Sequence, residues 1–514
     1  MRTRLRLLRA VGPLVAALIS AVRAASPPNA PAADWRFAVR FSPAAHGGTY
    51  TGRVYIFFSQ LRAEPRHDPN WFHPEELIAR DVTRWRPGET LEFQSGDKEI
   101  LAYPGPLGTF DLAGRRAQAV VRFNPFERRI GDGPGNGYSQ VVRIGDAQRD
   151  PAQPEFVIDR LVPPRTFPEE AWRKELTVRS RLLSNFLGRD VSLCAAVVLP
   201  AGYQSEKSRR YPTIFTVPGF GGTHYPSRFE PLLPQPAQKG VEFVRVVLDP
   251  SCPLGHHVFA DSANNGPVGE ALVKEFLPAY DRAFRSVGDP RARFLTGHSS
   301  GGWSTLWLQV AYPDRFGGTW STSPDPVDFR DFQGIDIYRP GENMYFDRAG
   351  AGKERPLARF GRRVLLTFPG FARMEDILGS GGQLHSFEAV FSPRGSDGQP
   401  QLLWDRTTGA IHADVARAWE KYDIRLLLER NWKTLGPKLA GKIHVFTGAD
   451  DTFYLDGAAR LLRESLAKSG GDAVVEIHPG KDHSTLLDAE LTERIRSEMA
   501  DTYRKAFPHD PSVP

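Results

Sequence analysis

Five consecutive residues in the second half of the chain have the spacing of a serine nucleophile. They are Gly297-His298-Ser299-Ser300-Gly301, directly after the predicted strand Arg293 to Thr296 and directly before a predicted helix. A strand-to-helix turn of this kind holds its central residue above the strand ends, and the flanking glycines remove side chains that would collide there. The motif therefore predicts that Ser299 is a nucleophile for acyl transfer.

An acidic residue follows another predicted strand at a position suited to a catalytic triad. The strand Lys442 to Thr447 continues into Gly448-Ala449-Asp450-Asp451. Because the carboxyl ends of parallel strands lie at one edge of a sheet, this acid can come close to Ser299. We predict Asp451 as the triad acid. Asp450 is the alternative, since one residue of uncertainty in the strand end exchanges their directions.

A histidine in the last predicted strand-to-helix loop can supply the base. A serine hydroxyl is a weak nucleophile at neutral pH, so it needs a base that is itself oriented by a carboxylate. His483 follows the predicted strand Ala473 to His478, which brings it to the same sheet edge as Ser299 and Asp451. His478 itself is predicted to be a buried histidine of the strand.

Acyl transfer also needs N–H donors for the oxyanion of the tetrahedral intermediate. The backbone N–H of Ser300, which follows the nucleophile, is one predicted donor. The second is predicted in Pro218-Gly219-Phe220-Gly221-Gly222, after the predicted strand Thr213 to Val217, because glycines allow close approach of the backbone. We assign it to Phe220, with Gly221 as the alternative. A glycine-rich turn without a ligand is the competing interpretation.

Three residues near the predicted catalytic edge are candidates for contact with the substrate. They are Tyr225, Trp303 and Asp325. Large aromatic residues near a sheet edge are more often part of the core, and an aspartate after a strand can simply cap a turn. The residues therefore do not identify the ester.

The sequence offers no recognisable site for a metal or a cofactor. His256 and His257 are adjacent rather than spaced along one helix face, and no H-E-x-x-H motif occurs. Two cysteines cannot form a structural zinc site, and no phosphate-binding P-loop motif is present. We therefore predict catalysis without a metal ion or a cofactor.

The larger part of the chain alternates predicted strands with amphipathic helices. This pattern is typical of a mostly parallel sheet with helices on both faces, so it predicts an α/β domain over residues 173–514. The predicted strands are 175–182, 191–199, 213–217, 242–248, 293–296, 317–321, 442–447 and 473–478. The clearest predicted helices are 269–287, 303–312, 457–469 and 485–506.

An insertion at 324–432 interrupts this pattern and contains a predicted helix at 413–431 and the glycine-rich run Gly379-Ser380-Gly381-Gly382. A long insertion is often a lid or a binding loop, and a passive surface elaboration is the alternative.

The region before the α/β domain lacks helical periodicity. Residues 34–160 contain short alternating segments separated by turns with Gly and Pro, which favour an antiparallel β-sandwich-like domain. A Pro-rich linker at 161–172 separates the two predicted domains.

The first 24 residues predict export. They contain five arginines and no acid, and an apolar run leads to small residues at Ala24 and Ala25, as in a secretory signal peptide. The run is shorter than the about 20 residues that a bilayer core requires, so no stable membrane insertion is expected. Residues 25–33 are predicted to be a linker, and the mature protein to be secreted or periplasmic.

Charge and composition exclude several classes of function. The 514-residue chain has a formal net charge of +6, of which five charges belong to the predicted signal peptide, leaving +1. Such a balance gives no electrostatic attraction to nucleic acid. The hydrophobic content of 40% and the charged content of 25% are ordinary globular values, which exclude a disordered chain.

Several runs resemble the esterase D-like family of α/β-hydrolases, which is related to enterochelin and feruloyl esterases. They are Val197-Val198-Leu199-Pro200-Ala201-Gly202-Tyr203, Tyr211-Pro212-Thr213-Ile214-Phe215 and Gly219-Phe220-Gly221-Gly222, together with the motifs around Ser299, Asp451 and His483. The resemblance covers about residues 173–506 and implies an α/β-hydrolase fold and ester hydrolysis, but no particular substrate. Pro218 replaces the histidine that is frequent in the family before the oxyanion glycine, and residues 34–160 lie outside the match.

The two cysteines, Cys194 and Cys252, form a disulfide or remain two separate thiols. Export to an oxidising compartment permits the disulfide. The resemblance implies that the second strand lies antiparallel beside the fourth, which would bring Cys194 to face the loop that carries Cys252 and favours the disulfide.

These observations predict an exported serine hydrolase that cleaves small-molecule or glycan-linked carboxylic esters through an acyl-enzyme intermediate. A peptidase or an acyltransferase with the same triad is the alternative. A third hypothesis is a non-catalytic surface or carbohydrate-binding protein on a hydrolase scaffold, against which the complete set of nucleophile, acid and base argues.

Overall fold

In the computed structural model, the described residues are 33–67, 69, 71–145, 154–228, 230–348 and 352–510. The predicted signal peptide, residues 1–24, and the predicted linker up to residue 32 lie outside them. None of the helices in the described part of the chain is both long and apolar enough to cross a membrane.

The N-terminal region is rich in β-structure, as the predicted fold class requires. Its strands are β1 (Arg36–Phe41), β2 (Tyr50–Ser59), β3 (Leu77–Trp85), β4 (Leu91–Gln94), β5 (Leu101–Tyr103), β6 (Arg116–Val121), β7 (Gly137–Ser139), β8 (Val142–Arg143) and β9 (Glu155–Leu161). They form one hydrogen-bonded sheet of order β4-β1-β9-β7-β6-β2-β3-β5, with β8 beside β6. Apolar residues of distant strands, such as Phe37, Ile56, Ile78 and Phe156, share one core, so the sheet curls around its own interior.

The strands of residues 173–510 form an eight-stranded sheet and three short hairpins. They are β10 (Arg173–Arg179), β11 (Ser192–Val198), β12 (Thr213–Val217), β13 (Val244–Leu248), β14 (Ser251–Cys252), β15 (Gly255–His256), β16 (Asp261–Ser262), β17 (Gly266–Pro267), β18 (Arg293–His298), β19 (Gly318–Thr322), β20 (Pro356–Phe360), β21 (Arg363–Thr367), β22 (Ile443–Gly448) and β23 (Val474–His478). The large sheet has the order β10-β11-β13-β12-β18-β19-β22-β23. The pairs from β13 to β23 are parallel, and β10 and β11 are antiparallel to their neighbours. This arrangement confirms the predicted α/β class.

Ten α-helices accompany these strands. They are α1 (Arg181–Leu187), α2 (Val268–Ala271), α3 (Leu277–Ala283), α4 (Ser300–Ala311), α5 (Phe368–Leu378), α6 (Gln383–Phe391), α7 (Ala413–Trp419), α8 (Ile424–Leu439), α9 (Asp456–Lys468) and α10 (Ala489–Ala506). A π-helical turn at Leu272–Phe276 joins α2 to α3. Helix α4 is buried along nearly its whole length, because its apolar residues pack in one core with those of the insertion at 324–432. We call this core the insertion core.

The predicted helix 413–431 is wrong as a single element. The structure divides it into α7 and α8, separated by a 3₁₀ turn at Glu420–Tyr422. The buried side chain of Asp423 accepts a hydrogen bond from the Leu426 N–H and caps the start of α8. The apolar spacing continues through the break, which is why periodicity alone did not reveal it.

Hydrogen bonds attach the N-terminal sheet to the insertion. Arg53 Nη1 donates to the carbonyls of Asp376 and Ile377 at 2.7 and 2.8 Å, and the Tyr55 hydroxyl donates to the Leu378 carbonyl at 2.7 Å. The last carbonyls of a helix have no partner within the helix. Side chains of β2 therefore cap α5 and attach the N-terminal region to the insertion.

The cysteines are free thiols, and the disulfide that the resemblance favours is not formed. Strand β11 does lie antiparallel beside β13, and both cysteines border one cavity. Their sulfur atoms nevertheless have separate neighbours. Cys194 Sγ lies 3.7 Å from Thr177 Oγ1, and Cys252 Sγ lies 3.5 Å from Asn265 Oδ1.

Candidate active site

Ser299 occupies the sharp turn between β18 and α4. Its backbone has φ 60° and ψ −127°, a strained conformation for a residue with a side chain. A Cβ atom on Gly301 would overlap the carbonyl of Val217, and one on Gly297 would overlap the backbone of Gly301. The two glycines of the motif are therefore required, because β12, β18 and the start of α4 approach each other within backbone contact.

Asp451 and His483 form a hydrogen-bonded pair at the same edge of the sheet. His483 Nδ1 lies 2.9 Å from Asp451 Oδ2, and the Phe453 N–H donates to Asp451 Oδ1 at 2.9 Å. The Asp451 side chain is fully buried and that of His483 is 11% exposed. Asp450, the alternative acid, is exposed. With Nδ1 donating to the carboxylate, His483 can accept a proton at Nε2.

The pKa values of this pair move in opposite directions. Burial lowers the pKa of His483, but the charge and hydrogen bond of Asp451 outweigh burial and hold that pKa above its ordinary value. Burial raises the pKa of Asp451, but the charge and hydrogen bond of His483 hold it below its ordinary value. Asp451 therefore remains a carboxylate and stabilises a protonated His483.

His298, next to Ser299, is a neutral packing residue. Its ring centroid lies 4.5 Å from that of His483, and its Nδ1 lies 3.1 Å from Thr322 Oγ1. Burial, followed by the positive charge of His483, lowers the pKa of His298 to about 3. His298 therefore supports the face of the His483 ring without competing for protons.

The hydroxyl of Ser299 is directed towards Asp325. Ser299 Oγ donates a long hydrogen bond of 3.5 Å to Asp325 Oδ1, and among the described residues it makes none with His483. Asp325 Oδ2 accepts a second hydrogen bond, of 2.5 Å, from Ser300 Oγ, and Gln383 Nε2 of α6 lies 3.4 Å away. Asp325 is thus a neighbour of the predicted nucleophile.

Burial raises the pKa of Asp325 to about 6, against the lowering effects of its Ser300 hydrogen bond and of His483. The carboxylate in turn helps to raise the pKa of His483, after the larger effects of burial and Asp451. Asp325 is therefore an electrostatic neighbour of the predicted base as well as of the predicted nucleophile.

The Asp325→Asn variant is expected to be active at lower pH than the wild type. A general base works only when it is neutral, so activity rises with pH through the pKa of His483. Loss of the Asp325 charge lowers that pKa, which moves the acid limb of the kcat/KM profile to lower pH. The profile of a neutral nitrophenyl ester measures this. Asp314→Asn, at an exposed ion pair with Lys438, should leave the limb in place. A limb that stays or moves to higher pH would contradict this role.

The glycine-rich run after β12 forms a tight turn against Ser299. The Gly222 N–H donates to the Gly219 carbonyl at 2.9 Å, and Gly221 has φ 84°, as in a type II turn. A Cβ on Gly219 would lie 3.3 Å from Ser299 Cβ. Among the described residues, the backbone N–H groups of Phe220 and Ser300 donate to no acceptor, so both are available to an oxyanion.

Aromatic side chains from three parts of the chain surround this edge. The Trp71 ring, from the N-terminal region, lies 4.9 Å from Phe220 and 5.3 Å from Phe371 between ring centroids. Phe72 lies 6.0 Å from Phe453, whose ring lies 4.9 Å from that of the predicted base. Sequence reasoning missed these residues, because none stands in a recognisable motif and the N-terminal region lies outside the family resemblance.

Of the three predicted substrate contacts, one is wrong. Trp303 is 1% exposed and stacks 5.3 Å from Trp307 inside the insertion core. Helix α4 directs this residue away from the cleft, although it follows the nucleophile closely in sequence. Tyr225 borders a cleft of 1460 Å³ that His298 and His483 also line. Its contact with a substrate stays a prediction.

Among the described residues, no group of three or more His, Cys, Asp or Glu side chains is arranged to hold a metal ion. The side chains and backbone described at this edge are a serine, an imidazole, two carboxylates and unpaired N–H groups.

Comparisons with known proteins find one matching family and several distant structural likenesses. The family model described as "Putative esterase" matches residues 184–484. A ferulic acid esterase is similar in structure, with 12% identity and a TM-score of 0.40, covering 64% of this chain and 98% of that one. The S-formylglutathione hydrolase from Agrobacterium tumefaciens has 14% identity and a TM-score of 0.38, covering 66% of this chain and 97% of that one. No curated protein matches the sequence significantly.

The family match, rather than these distant structural likenesses, carries the assignment. It spans more than half of the chain and includes Ser299, Asp451 and His483. The esterase D-like resemblance of the sequence is thereby confirmed. The chain belongs to this esterase family, within the α/β-hydrolase superfamily, and is a carboxylic ester hydrolase.

Proposed function

We propose that the protein is an exported serine esterase that acts through an acyl-enzyme intermediate, with Ser299 as nucleophile, His483 as base and Asp451 as the orienting acid. The observation that carries the proposal is the 2.9 Å hydrogen bond between His483 Nδ1 and Asp451 Oδ2, at the sheet edge where Ser299 begins α4. The substrate class is a small-molecule or glycan-linked ester.

The first half-reaction transfers the acyl group to Ser299. Rotation of the Ser299 side chain exchanges its long hydrogen bond with Asp325 for one with His483 Nε2, and such hydrogen bonds often tighten only when substrate binds. The hydroxyl oxygen then attacks the ester carbonyl and its proton passes to His483. The N–H groups of Phe220 and Ser300, helped by the start of α4, stabilise the oxyanion.

Protonated His483 then donates its proton to the departing alcohol, with Asp451 stabilising the imidazolium until then, and this completes the first half-reaction. In the second half-reaction, water enters at the place of the alcohol, loses a proton to His483 and attacks the acyl group on Ser299. The bond between the acyl carbon and Ser299 Oγ breaks, His483 returns the proton to Ser299 Oγ, and the acid is released. The N-terminal signal that supports export lies in residues 1–24.

A fluorophosphonate probe is expected to label one serine per chain, in the peptide that contains Ser299. The phosphonyl group mimics the tetrahedral intermediate and reacts only with an activated serine. Peptide mass spectrometry locates the label, and 4-nitrophenyl acetate added beforehand should slow the labelling. Heat-denatured protein is the control. Absence of label, or label at a serine outside the cleft, would contradict the proposed nucleophile.

A competing alcohol distinguishes an esterase from a transferase that uses the same triad. Acetyl esters with different leaving groups form one common acetyl-enzyme, so the ratio of acetate to methyl acetate in dilute methanol should not depend on the leaving group. A ratio that changes with the leaving group would contradict a common intermediate, and product made only by transfer would favour an acyltransferase.

A further inference from the structure

A second cavity adjoins the turn that carries the predicted oxyanion donor. It has a volume of 290 Å³, and the N-terminal region, the turn after β12 and the insertion each contribute to its wall. We call it the Arg128 cavity; its lining residues include Arg128, Arg129, Phe220, Gly221, Glu375 and Gly382. Neither Ser299 nor His483 is among its lining residues.

The wall of the Arg128 cavity adjoins the turn at Ser299 on two sides. Phe220 lines the cavity, and the preceding Gly219 is packed against Ser299. Gly382 also lines it, and Nε2 of the following Gln383 lies 3.2 Å from Ser300 Oγ. Phe220 and Gly221 line the larger cleft of His483 as well, so a substrate in that cleft can extend into this cavity.

Arg128 brings an unpaired positive charge to the cavity. Among the described residues no carboxylate lies within ion-pair distance of its guanidinium, whose Nη1 donates only to the Gly381 carbonyl at 3.3 Å. Its guanidinium carbon lies 4.6 Å from the centroid of the Phe220 ring. Burial, with a smaller effect of Arg129, lowers the pKa of Arg128 to about 10, so it remains a cation at neutral pH.

The other charges of the cavity wall have partners. Arg66 and Arg129 pair with Asp132 at 3.3 and 3.0 Å, and His67 Nδ1 lies 2.5 Å from the same carboxylate. The buried carboxylate of Glu375 accepts backbone N–H groups at the start of α6, such as that of Leu384 at 2.9 Å. Arg128 is therefore the cation of this wall that has no ion-pair partner among the described residues, and the charge of Glu375 acts on it only from beyond ion-pair distance.

We infer that Arg128 binds an anionic group on the acyl part of the substrate, so that the enzyme prefers esters of dicarboxylic or similarly anionic acids. A half-buried guanidinium lacks part of its water, and a carboxylate that pairs with it in two hydrogen bonds replaces that water. This inference rests on the proposed function, because the acyl group must be attached to Ser299 next to the cavity.

The acyl part, rather than the alcohol, extends into the Arg128 cavity. The leaving alcohol must lie beside His483, which protonates it. His483 lines the larger cleft of 1460 Å³ and does not line the Arg128 cavity. We assign a group that reaches Arg128 to the half of the ester that stays on the enzyme, because the leaving half must lie on the His483 side of the cleft. The N-terminal region supplies Arg128, and through it this region takes part in the choice of substrate.

Matched esters test the inference. The probes are mono-4-nitrophenyl esters of dicarboxylic acids of increasing chain length, each compared with its methyl ester, which differs only by the charge. At one or more lengths, the wild type should hydrolyse the anionic ester with the higher kcat/KM. Arg128→Gln should reduce the anionic-to-neutral ratio by about tenfold or more, as expected for loss of a charge-assisted pair. Arg128→Lys should retain part of the preference.

Arg40→Gln is the matched control. It removes the same charge from an exposed position of β1, where Arg40 pairs with Glu155, and should leave the ratio unchanged. Equal kcat/KM values for the anionic and neutral esters at every chain length would overturn the inference. An anionic-to-neutral ratio in Arg128→Gln equal to that of the wild type would do the same. Neither result would contradict the proposed esterase activity. No Ser299-dependent turnover of any ester would instead overturn the proposed function. If Arg128→Gln does not fold, the wild-type preference and the Arg128→Lys variant decide.

An anionic leaving group tests the assignment to the acyl half. The comparison is 4-carboxyphenyl acetate with its methyl ester. We expect Arg128→Gln to change this ratio as little as Arg40→Gln does. A preference for the anionic leaving group that disappears in Arg128→Gln would overturn the assignment to the acyl part.

Discussion

The Ser299→Ala variant is expected to lose about 10⁵-fold or more in the turnover of 4-nitrophenyl acetate and still to fold. The change removes the proposed acyl acceptor, whereas the proposed oxyanion donors, the N–H groups of Phe220 and Ser300, and the cleft remain. The residual rate should therefore come from these donors alone. Steady-state release of 4-nitrophenol measures the loss, and the thermal unfolding midpoint checks the fold.

Ser205→Ala is the matched control for the nucleophile. Ser205 lies in an exposed turn and donates to the Gly202 carbonyl, so loss of this hydroxyl should leave turnover unchanged. Purified Ser299→Ala protein with near wild-type turnover would show that another residue carries the acyl group. In that case the sharp turn at Ser299 would serve only to pack β18 against α4.

The parts of the site that depend on short stretches of chain could be predicted from the sequence. The sharp turn at Ser299 needs Gly297 and Gly301, because the neighbouring backbone leaves no room for a Cβ atom at either position. The five-residue motif itself indicates this requirement. Strand β12 was predicted with the bounds that the structure shows, since a short apolar run between turn residues has few alternatives. The strand-to-helix alternation was sufficient for the α/β class.

Contacts between distant segments could not be predicted. The hydrogen bond from Arg128 to Gly381 joins residues that are 253 positions apart, and no local pattern marks either partner. The same holds for Trp71, whose ring contacts those of Phe220 and Phe371 because the N-terminal sheet packs against the insertion. Predicting such contacts requires the packing of whole elements, which periodicity does not encode.

The choice between two adjacent acids also depended on structure. Strand β22 ends at Gly448, and the Asp450 N–H donates to the Lys481 carbonyl at 3.0 Å. This backbone contact holds the loop of His483 beside the strand end and leaves the Asp450 side chain exposed. The Asp451 side chain is directed inwards instead. If the predicted end of the strand were wrong by one residue, the predicted directions of the Asp450 and Asp451 side chains would be exchanged.

The Asp451→Asn variant should lose about 10³- to 10⁴-fold in kcat, whereas Asp450→Asn should stay within a few-fold of the wild type. An amide at residue 451 can no longer stabilise the imidazolium of His483, and its NH₂ group can favour the wrong tautomer. The pKa of His483 should fall as well, because the charge of Asp451 raises it. The pH profile of kcat/KM in both variants measures the two effects.

Comparison of Asp451→Asn with Asp450→Asn shows which of the two aspartates supports His483, without interference from a change in stability. Asp451→Asn keeps the size of a fully buried side chain, so its unfolding midpoint and its kcat can be compared directly. A large loss in Asp450→Asn with little loss in Asp451→Asn would reverse the assignment. An equally small loss in both would identify Asp325, whose charge also raises the pKa of His483, as the carboxylate that supports the base. The Asp325→Asn/Asp451→Asn double variant would then show the loss that neither single variant shows.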